Sequence, residues 1–511
     1  MKPRPSLIVL PALLLCAPVA VFSQDSVPRR TISMRECVET ALRNNIEIAV
    51  SRAEREIGSL GVPIEEAAFL PRFTGDLGTS RSTVPTGSAL DGSLSLDQRV
   101  YKFDLGAKDL LRTGTALSLD FQNQRQESST SVALLSPQYT TALTLSAQQP
   151  LLKNRGRGIT EAPLQIARAG AAAKTGEWKT SVMDAVAAAR SAFLSFFAAV
   201  REVEVRKTAV ELAERLMVHT DARINAGAAA PMDRLPAEAA VAARKEELLR
   251  AEAGAQSAAD DLKNIMGLRS PLEWEERLAP APLQEEIQPP GPDETFEEAL
   301  RRRPEFAAQA ERRKQADIQE AVARNRTLPS LDLTVSAGLS GLSGTPNPNP
   351  LFPASTTAFT GNYGDSLDQA FSGRYHNWFV GLKTELPWKF DREKAEHARA
   401  RTALEEQRLL EEKLSLQVRA EVRKGRRDLE SALERIVAAS ASVAAASKNL
   451  EAEEKKLGLG RSTTVEVLRF QQDLSEASLS ESRARVDAYL AQTRLWRAVG
   501  TILEKEGVAI R

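Results

Sequence analysis

Two hydrophobic periods alternate along this chain, and the points where one gives way to the other divide it. From Asp391 to Thr501 there is no proline, and the stretch is dominated by Ala, Leu, Glu, Arg, Lys and Ser, all but Ser strong helix formers. Its one interruption is Gly458-Leu459-Gly460, followed by Arg461-Ser462-Thr463-Thr464. This pattern predicts a long helix over 391–457, a tight turn, and a return helix over 463–503. At 1.5 Å per residue the first arm is about 100 Å long, the length of a strut, a tether or the wall of a tube. An earlier stretch repeats the plan. A long helix is predicted over 160–226, with Gly227 and Pro231 at the turn and Asp233 beginning a return helix over 232–267.

Ahead of each long helix the period is two. Leu331, Leu333, Val335, Ala337 and Leu339 alternate with small or polar residues, and so do Trp378, Val380 and Leu382 on the way to Leu386-Pro387-Trp388. In the first half Leu117, Leu119 and Phe121 alternate, as do Tyr139, Thr141, Leu143, Leu145 and Ala147 before Pro150. Runs of about ten residues suit a tilted membrane strand, although a half-exposed soluble sheet alternates in the same way. They predict β-hairpins over 72–149 and 330–386. Further alternating runs near 94–123 either extend the sheet or form an outside hairpin. Between the strands of the second pair, 341–372 is rich in Gly, Ser, Thr, Asn and Pro and reads as a long exposed loop.

The chain repeats itself. Met34 to Glu47 resembles Thr295 to Glu305, and each opens a helix that runs to a Leu-Pro pair, Leu70-Pro71 or Leu328-Pro329. Ala41 to Ala299 and Leu70 to Leu328 share one offset (299 − 41 = 328 − 70 = 258). The turn glycines Gly227 and Gly460 stand equally far from the closing glycines Gly267 and Gly500 (267 − 227 = 500 − 460 = 40). Two repeats, 24–279 and 293–511, are therefore expected, joined by a proline-rich, acidic linker over 280–292. Long Ala-rich hairpins have little core of their own, so they must pack on one another and on other copies of the chain.

Composition narrows the class. Lys+Arg and Asp+Glu are equal at 68 each, and no basic run interleaves with aromatics, so nothing points to nucleic acid. Lys2 and Arg4 followed by apolar residues from Leu7 to Ala20 read as a signal peptide over 1–23. Cys16 follows the bulky Leu15, which argues against lipidation and leaves Cys37 alone in the mature chain. No later segment reads as apolar enough for a transmembrane helix, so any membrane crossing is expected from strands. His219, His376 and His397 share no ligand spacing. There is no phosphate loop, nucleophile elbow or Cys-His pairing, so no catalytic, cofactor or metal residue is assigned.

The doubled Ala-Leu…Leu-Pro openings and the strand–proline–helix junctions at Pro71, Pro150, Pro329 and Pro387 together resemble the TolC-like outer-membrane efflux protein family. So do the turn Gly460-Arg461-Ser462-Thr463-Thr464-Val465-Glu466-Val467-Leu468 and the helix endings at Gly267 and Gly500. The resemblance covers nearly the whole mature chain. It implies a mainly α protein with membrane β: a homotrimer in which each protomer gives four strands to a shared twelve-stranded outer-membrane barrel. The helical hairpins would form a periplasmic α-barrel. The tube would dock on a periplasmic adaptor (membrane fusion) protein and an inner-membrane RND or ABC pump, and expel drugs, metals or proteins.

The resemblance also implies acidic residues where each return helix starts. Asp233 and Glu466 stand there, and three copies would make each a ring favouring cations. The plainer reading of both is a helix N-terminal acid favoured by the macrodipole. A second acidic site of the family falls on Arg469 and a tip arginine on Ser462, so selectivity and closing bonds are expected to differ. Gly227, Gly458 and Gly460 are expected to make the turns at positive φ. Arg461, Ser462, Leu235, Ala237 and Leu468 are candidate tip and adaptor contacts, with packing inside the chain as the alternative. Trp378 and Trp388 flank the last strand and suit the membrane interfaces. The competing reading of the whole chain is a secreted envelope coiled-coil scaffold.

Overall fold

The computed structural model describes residues 29–87, 94–283, 286–292, 294–348, 350–351, 358–386 and 388–508. The predicted signal peptide, Cys16 and Pro387 lie outside the described residues.

In chain order the strands are β1 (Arg29–Ile32), β2 (Arg72–Pro85), β3 (Ser95–Leu110), β4 (Ala116–Ser128), β5 (Leu135–Pro150), β6 (Arg277–Pro280), β7 (Ser330–Pro346) and β8 (His376–Glu385). The first-half helices are α1 (Met34–Asn44), α2 (Ile46–Glu66), α3 (Arg157–Thr160), α4 (Ala162–Asn225), α5 (Arg234–Met266) and α6 (Pro271–Glu275). The second half adds α7 (Phe296–Arg302), α8 (Pro304–Arg326), α9 (Tyr363–Phe371), α10 (Asp391–Gly458), α11 (Thr464–Val499) and α12 (Ile502–Lys505). Contacts divide the chain into two compact units. One gathers the residues up to Asn44 with Ala188–Ile287 and Glu434–Leu490, and the other gathers Asn45–Ala187, Gln288–Leu433 and the residues from Ala491 on.

In the first unit, Phe193, Leu194 and Phe196 of α4 pack with Cys37 of α1, Leu262 and Met266 of α5, and Val486 and Tyr489 of α11. Cys37 Sγ lies 3.4 Å from Met266 Sδ. Burial pushes the Cys37 thiol up to about 12, so it remains protonated and unreactive. A pairing that periodicity did not predict is also here: β1 and β6 run parallel, from Arg29↔Arg277 to Ile32↔Pro280.

The second unit holds one antiparallel sheet in the order β2-β3-β4-β5-β7-β8. This corrects the expectation of four strands from one chain. The alternating runs near 94–123 are β3 and β4, and they extend the sheet to six strands among the described residues. The first "hairpin" is thus a four-stranded meander. The stretch 341–372, expected to be a long exposed loop, contains the end of β7 and α9 among its described residues, and α9 packs on β5 and β7. A Cβ on Gly341 would stand 1.9 Å from the Ser366 carbonyl, so only glycine admits the helix there.

Several element ends differ from expectation for local reasons. The opening helices break after about three turns at Asn45 (φ −61°, ψ 129°) and after about two at Arg303 (φ −74°, ψ 121°). Asn45 caps α2 by accepting from the Glu47 and Ile48 N–H groups, and Pro304 starts α8 at the position where a missing N–H costs nothing. The last return helix stops at Val499, because Gly500 turns the chain at φ 88°. One apolar expectation is also corrected. A stretch within α4 reaches a mean hydropathy of 1.4, enough by length and composition to cross a membrane, yet half of it is buried inside the protein. Its Ala, Val, Met and Phe residues serve packing, with Val182, Met183, Val186 and Phe193 all buried.

Candidate functional site

The candidate functional residues fall in two places: the two faces of the sheet and the turns that close the helical hairpins.

Directly opposed residues of an antiparallel sheet share a face. One cross-strand row therefore runs Phe73↔Ala107↔Leu119↔Leu145↔Ala337↔Trp378 through all six strands. The next row on that face is Gly75↔Leu105↔Phe121↔Leu143↔Leu339↔His376. One residue along, on the other face, the row reads Thr74↔Gly106↔Asp120↔Thr144↔Gly338↔Asn377. Beside it stand Asp76, Asp104 and Gln122, then Lys102, Gln124 and Thr140. The sheet is thus apolar on one face and polar and charged on the other. The apolar residues are not a core: Phe73 is 79% exposed, Leu77 80% and Trp378 74%. Exposed apolar belts of this extent mark a partner or a lipid surface.

Beyond the belt, toward the β4–β5 turn, the apolar face becomes polar. The Arg125 guanidinium lies over the Tyr101 and Tyr139 rings, and α9 covers the sheet through Ser366 Oγ, 3.0 Å from Thr141 Oγ1. Tyr363 donates to Asn123 Oδ1 at 2.8 Å. Of the junction prolines, Pro71 and Pro329 directly precede β2 and β7. Pro150 closes β5 opposite Asp332, and the chain leaves the sheet after Leu151 N–H donates to the Leu331 carbonyl at 2.7 Å. Trp388 is fully exposed just past β8.

The hairpin turns use one construction twice. Gly227 N–H donates to Ile224 O and Ala228 N–H to Arg223 O; Gly460 N–H donates to Leu457 O and Arg461 N–H to Lys456 O. Both glycines are left-handed, at φ 72° and 71°, which is the Schellman ending of a helix. Gly458 is corrected: it is the last residue of α10, without a positive φ. Asp233 Oδ2 accepts the Ala230 N–H at 3.1 Å, so this carboxylate also holds its own turn. Glu466 is exposed in the first turn of α11.

Among the candidate contacts, Leu235 and Arg461 are exposed. Ala237 is corrected, because it is wholly buried against its own chain and offers a partner nothing. Leu468 packs partly into the cluster of Leu216, Leu450, Leu457 and Val467. Ser462 donates to Glu453 Oε1 at 2.5 Å, while Lys456 pairs with Glu453 Oε2 at 2.8 Å. Lys456 and Ser462 together hold the Glu453 carboxyl below its usual range. Sequence reasoning missed Glu453, and it missed Arg244, whose guanidinium joins three helices. Arg244 donates to Ala209 O of α4 at 3.0 Å, and on α11 to Gln471 Oε1 at 2.8 Å and Leu468 O at 3.2 Å. No local spacing announces such long-range bonds.

A sheet with a lipid-type belt on one face and a hydrated face on the other, joined to long helical hairpins, defines an outer-membrane channel protein. The model of a family described as outer membrane efflux protein matches residues 37–268 and 295–501, and the chain belongs to that family. None of the curated proteins matches it. Solved structures of the same fold include the outer-membrane channel OprN, at 16% identity and TM-score 0.68, covering 92% of this chain and 90% of that one. The Campylobacter jejuni CmeC outer membrane channel is 15% identical at TM-score 0.65, with 92% and 85% covered. The outer membrane protein VceC from Vibrio cholerae is 14% identical at TM-score 0.65, with 91% and 96% covered. The protein is an efflux channel of the outer membrane and not an enzyme.

Proposed function

We propose that three copies of this chain form a passive exit duct of a tripartite efflux or type I secretion system, which an adaptor protein and an inner-membrane pump complete. The observation that carries this reading is the open sheet. Among the described residues β2 and β8 each have one neighbour, and both carry exposed apolar residues. An unpaired strand edge in lipid leaves backbone groups unsatisfied at several kcal/mol each, so copies must pool their strands. The energy for export comes from the pump, because no catalytic residue is assigned in the duct.

We also read the halves 24–279 and 293–511 as two versions of one plan. Support comes from the paired Schellman turns, from the left-handed Gly267 and Gly500 that close both return helices, and from the single-residue breaks at Asn45 and Arg303, which keep the same offset (303 − 45 = 258). Asp233 and Glu466, each just past a hairpin turn, are proposed to line the narrow end.

Fractionation with planar-bilayer recording tests the duct. A heat-resistant oligomer in the outer membrane that conducts ions is the expected result. A soluble periplasmic pool with no conductance would instead favour an envelope scaffold.

A further inference from the structure

We infer that the barrel built by this protein has eighteen strands rather than twelve, because β3 and β4 form an inserted membrane-crossing hairpin and β8 pairs with β2 of the next copy. The inference rests on the trimeric duct proposed above: three copies of six strands give eighteen.

The inserted hairpin is part of the wall. Its registers run unbroken from Arg72↔Lys108 to Pro85↔Ser95, from Leu110↔Ala116 to Gln98↔Ser128, and from Ala116↔Gln148 to Gln126↔Gln138. At 16 and 13 residues, β3 and β4 exceed the roughly 9–11 residues that a tilted strand needs to cross a bilayer. The apolar row passes through Ala107 and Leu119, and the polar row through Gly106 and Asp120, without a break.

The turn between β3 and β4 is tied to the place where the strands hand over to the helices. Leu111 N–H donates to Thr115 O at 2.9 Å, and Arg112 pairs with Glu161 at 3.0 Å beside the start of α4. Gly114 sits at φ 92°, where a Cβ would come within 2.8 Å of Thr160 Oγ1. A loose outer hairpin would need none of these contacts.

The seam follows from direction and from surface. Successive strands of the sheet alternate, so β2 and β8 run oppositely, and β8 meets the β2 of a following copy in the same antiparallel sense as every other pair. The belt reaches both edges, through Phe73 and Leu77 on β2 and through Trp378, Val380 and Leu382 on β8. A second copy therefore continues the apolar outside and the polar inside together.

Barrel diameter grows nearly in proportion to strand number. With strands about 4.8 Å apart and tilted about 40°, eighteen strands give a backbone diameter of about 36 Å, against about 24 Å for twelve. Barrels of about 16–18 strands leave an aqueous channel. The inserted hairpin also supplies Lys102, Asp104, Lys108, Asp120, Gln122 and Gln124 to the polar face. The outer-membrane end is therefore a wide hydrated mouth suited to bulky hydrophilic cargo.

Cysteine variants of the full chain test this, with Cys37 silent because it is fully buried. Ser80→Cys on β2 is combined in turn with Asn377→Cys and Phe379→Cys on β8, all on the polar face. Oxidation is expected to shift the protein into dimer and trimer bands for at least one pair. A disulfide confined to the monomer band, or none for either pair, overturns the seam. Separately, Gln122→Cys and Leu105→Cys are exposed to a water-soluble maleimide in membranes. Labelling of Gln122→Cys with loss of labelling at Leu105→Cys is expected, and equal labelling of both would put the inserted hairpin outside the wall. Cross-linked ladders without bilayer conductance would sink the duct and spare the seam. Conductance with failed cross-links or equal labelling would do the reverse.

Discussion

Arg497 and Glu305 are joined at 2.8 Å, with less than a fifth of either side chain exposed. The bond ties the end of α11 to the first turn of α8. Arg497 reaches on to Asp184 at 2.5 Å, and Glu305 is also held by Arg303, which extends to Glu421. Burial alone would raise the Glu305 pKa. The Arg303 hydrogen bond and the charges of Arg497 and Arg303 outweigh it and hold the carboxyl below its usual range.

A carboxyl depressed by folding stabilises the protein above its unfolded pKa, and that contribution fades as pH falls through the folded value. Glu305→Gln is therefore expected to lower stability at neutral pH by about 3 kcal/mol, the scale for stranding a buried ionic partner. The gap from the parent should close at acid pH, below the usual carboxylate range. Thermal midpoints in mild detergent across that range would show it, and a gap independent of pH would refute the linkage.

The two faces of the sheet can be told apart with neighbouring residues. Leu145→Arg puts a charge on the apolar belt and is expected to cost about 2–4 kcal/mol near the bilayer midplane. Thr144→Arg, one residue earlier on the polar face, should fold and shift ion preference toward anions. Recovery of heat-resistant oligomer from the outer membrane reads the first effect, and reversal potentials read the second. Equal damage by both would mean the faces are wrongly assigned.

The turns offer a contrast between two glycines two residues apart. Gly460 is left-handed, so Gly460→Ala should cost about 1–2 kcal/mol. Gly458 ends a right-handed helix with open space around it, so Gly458→Ala should be neutral or gain up to about 1 kcal/mol. Hydrogen exchange at the turn amides distinguishes them, and matching effects would undo the assignment.

For the proposed acidic rings, Asp233→Ala with Glu466→Ala is expected to reduce cation preference in bilayer recordings. Because Asp233 also holds the Ala230 N–H, Asp233→Asn serves as the milder partner variant. A reversal potential that does not move in either background would remove the rings and leave the duct intact.

Local chemistry made the long elements legible. Long runs of helix formers set α4, α5, α10 and α11 to within a few residues, with proline only in the first turn of α4 (Pro163) and of α5 (Pro236), and left-handed glycines ended them at Gly227, Gly267, Gly460 and Gly500. Period-two alternation located most of the strands, and the spacing of Ala41 from Ala299 is what suggests the doubled plan proposed above. What the chain could not announce locally is which segments meet. That β3 and β4 join the sheet, that β1 finds β6 far along the chain, that Ala237 faces inward and that Arg497 finds Glu305 all depend on pairings between distant residues. Periodicity records which face a residue occupies, because that depends on its own backbone. It carries no record of the neighbour across the gap, and only packing in three dimensions selects that neighbour.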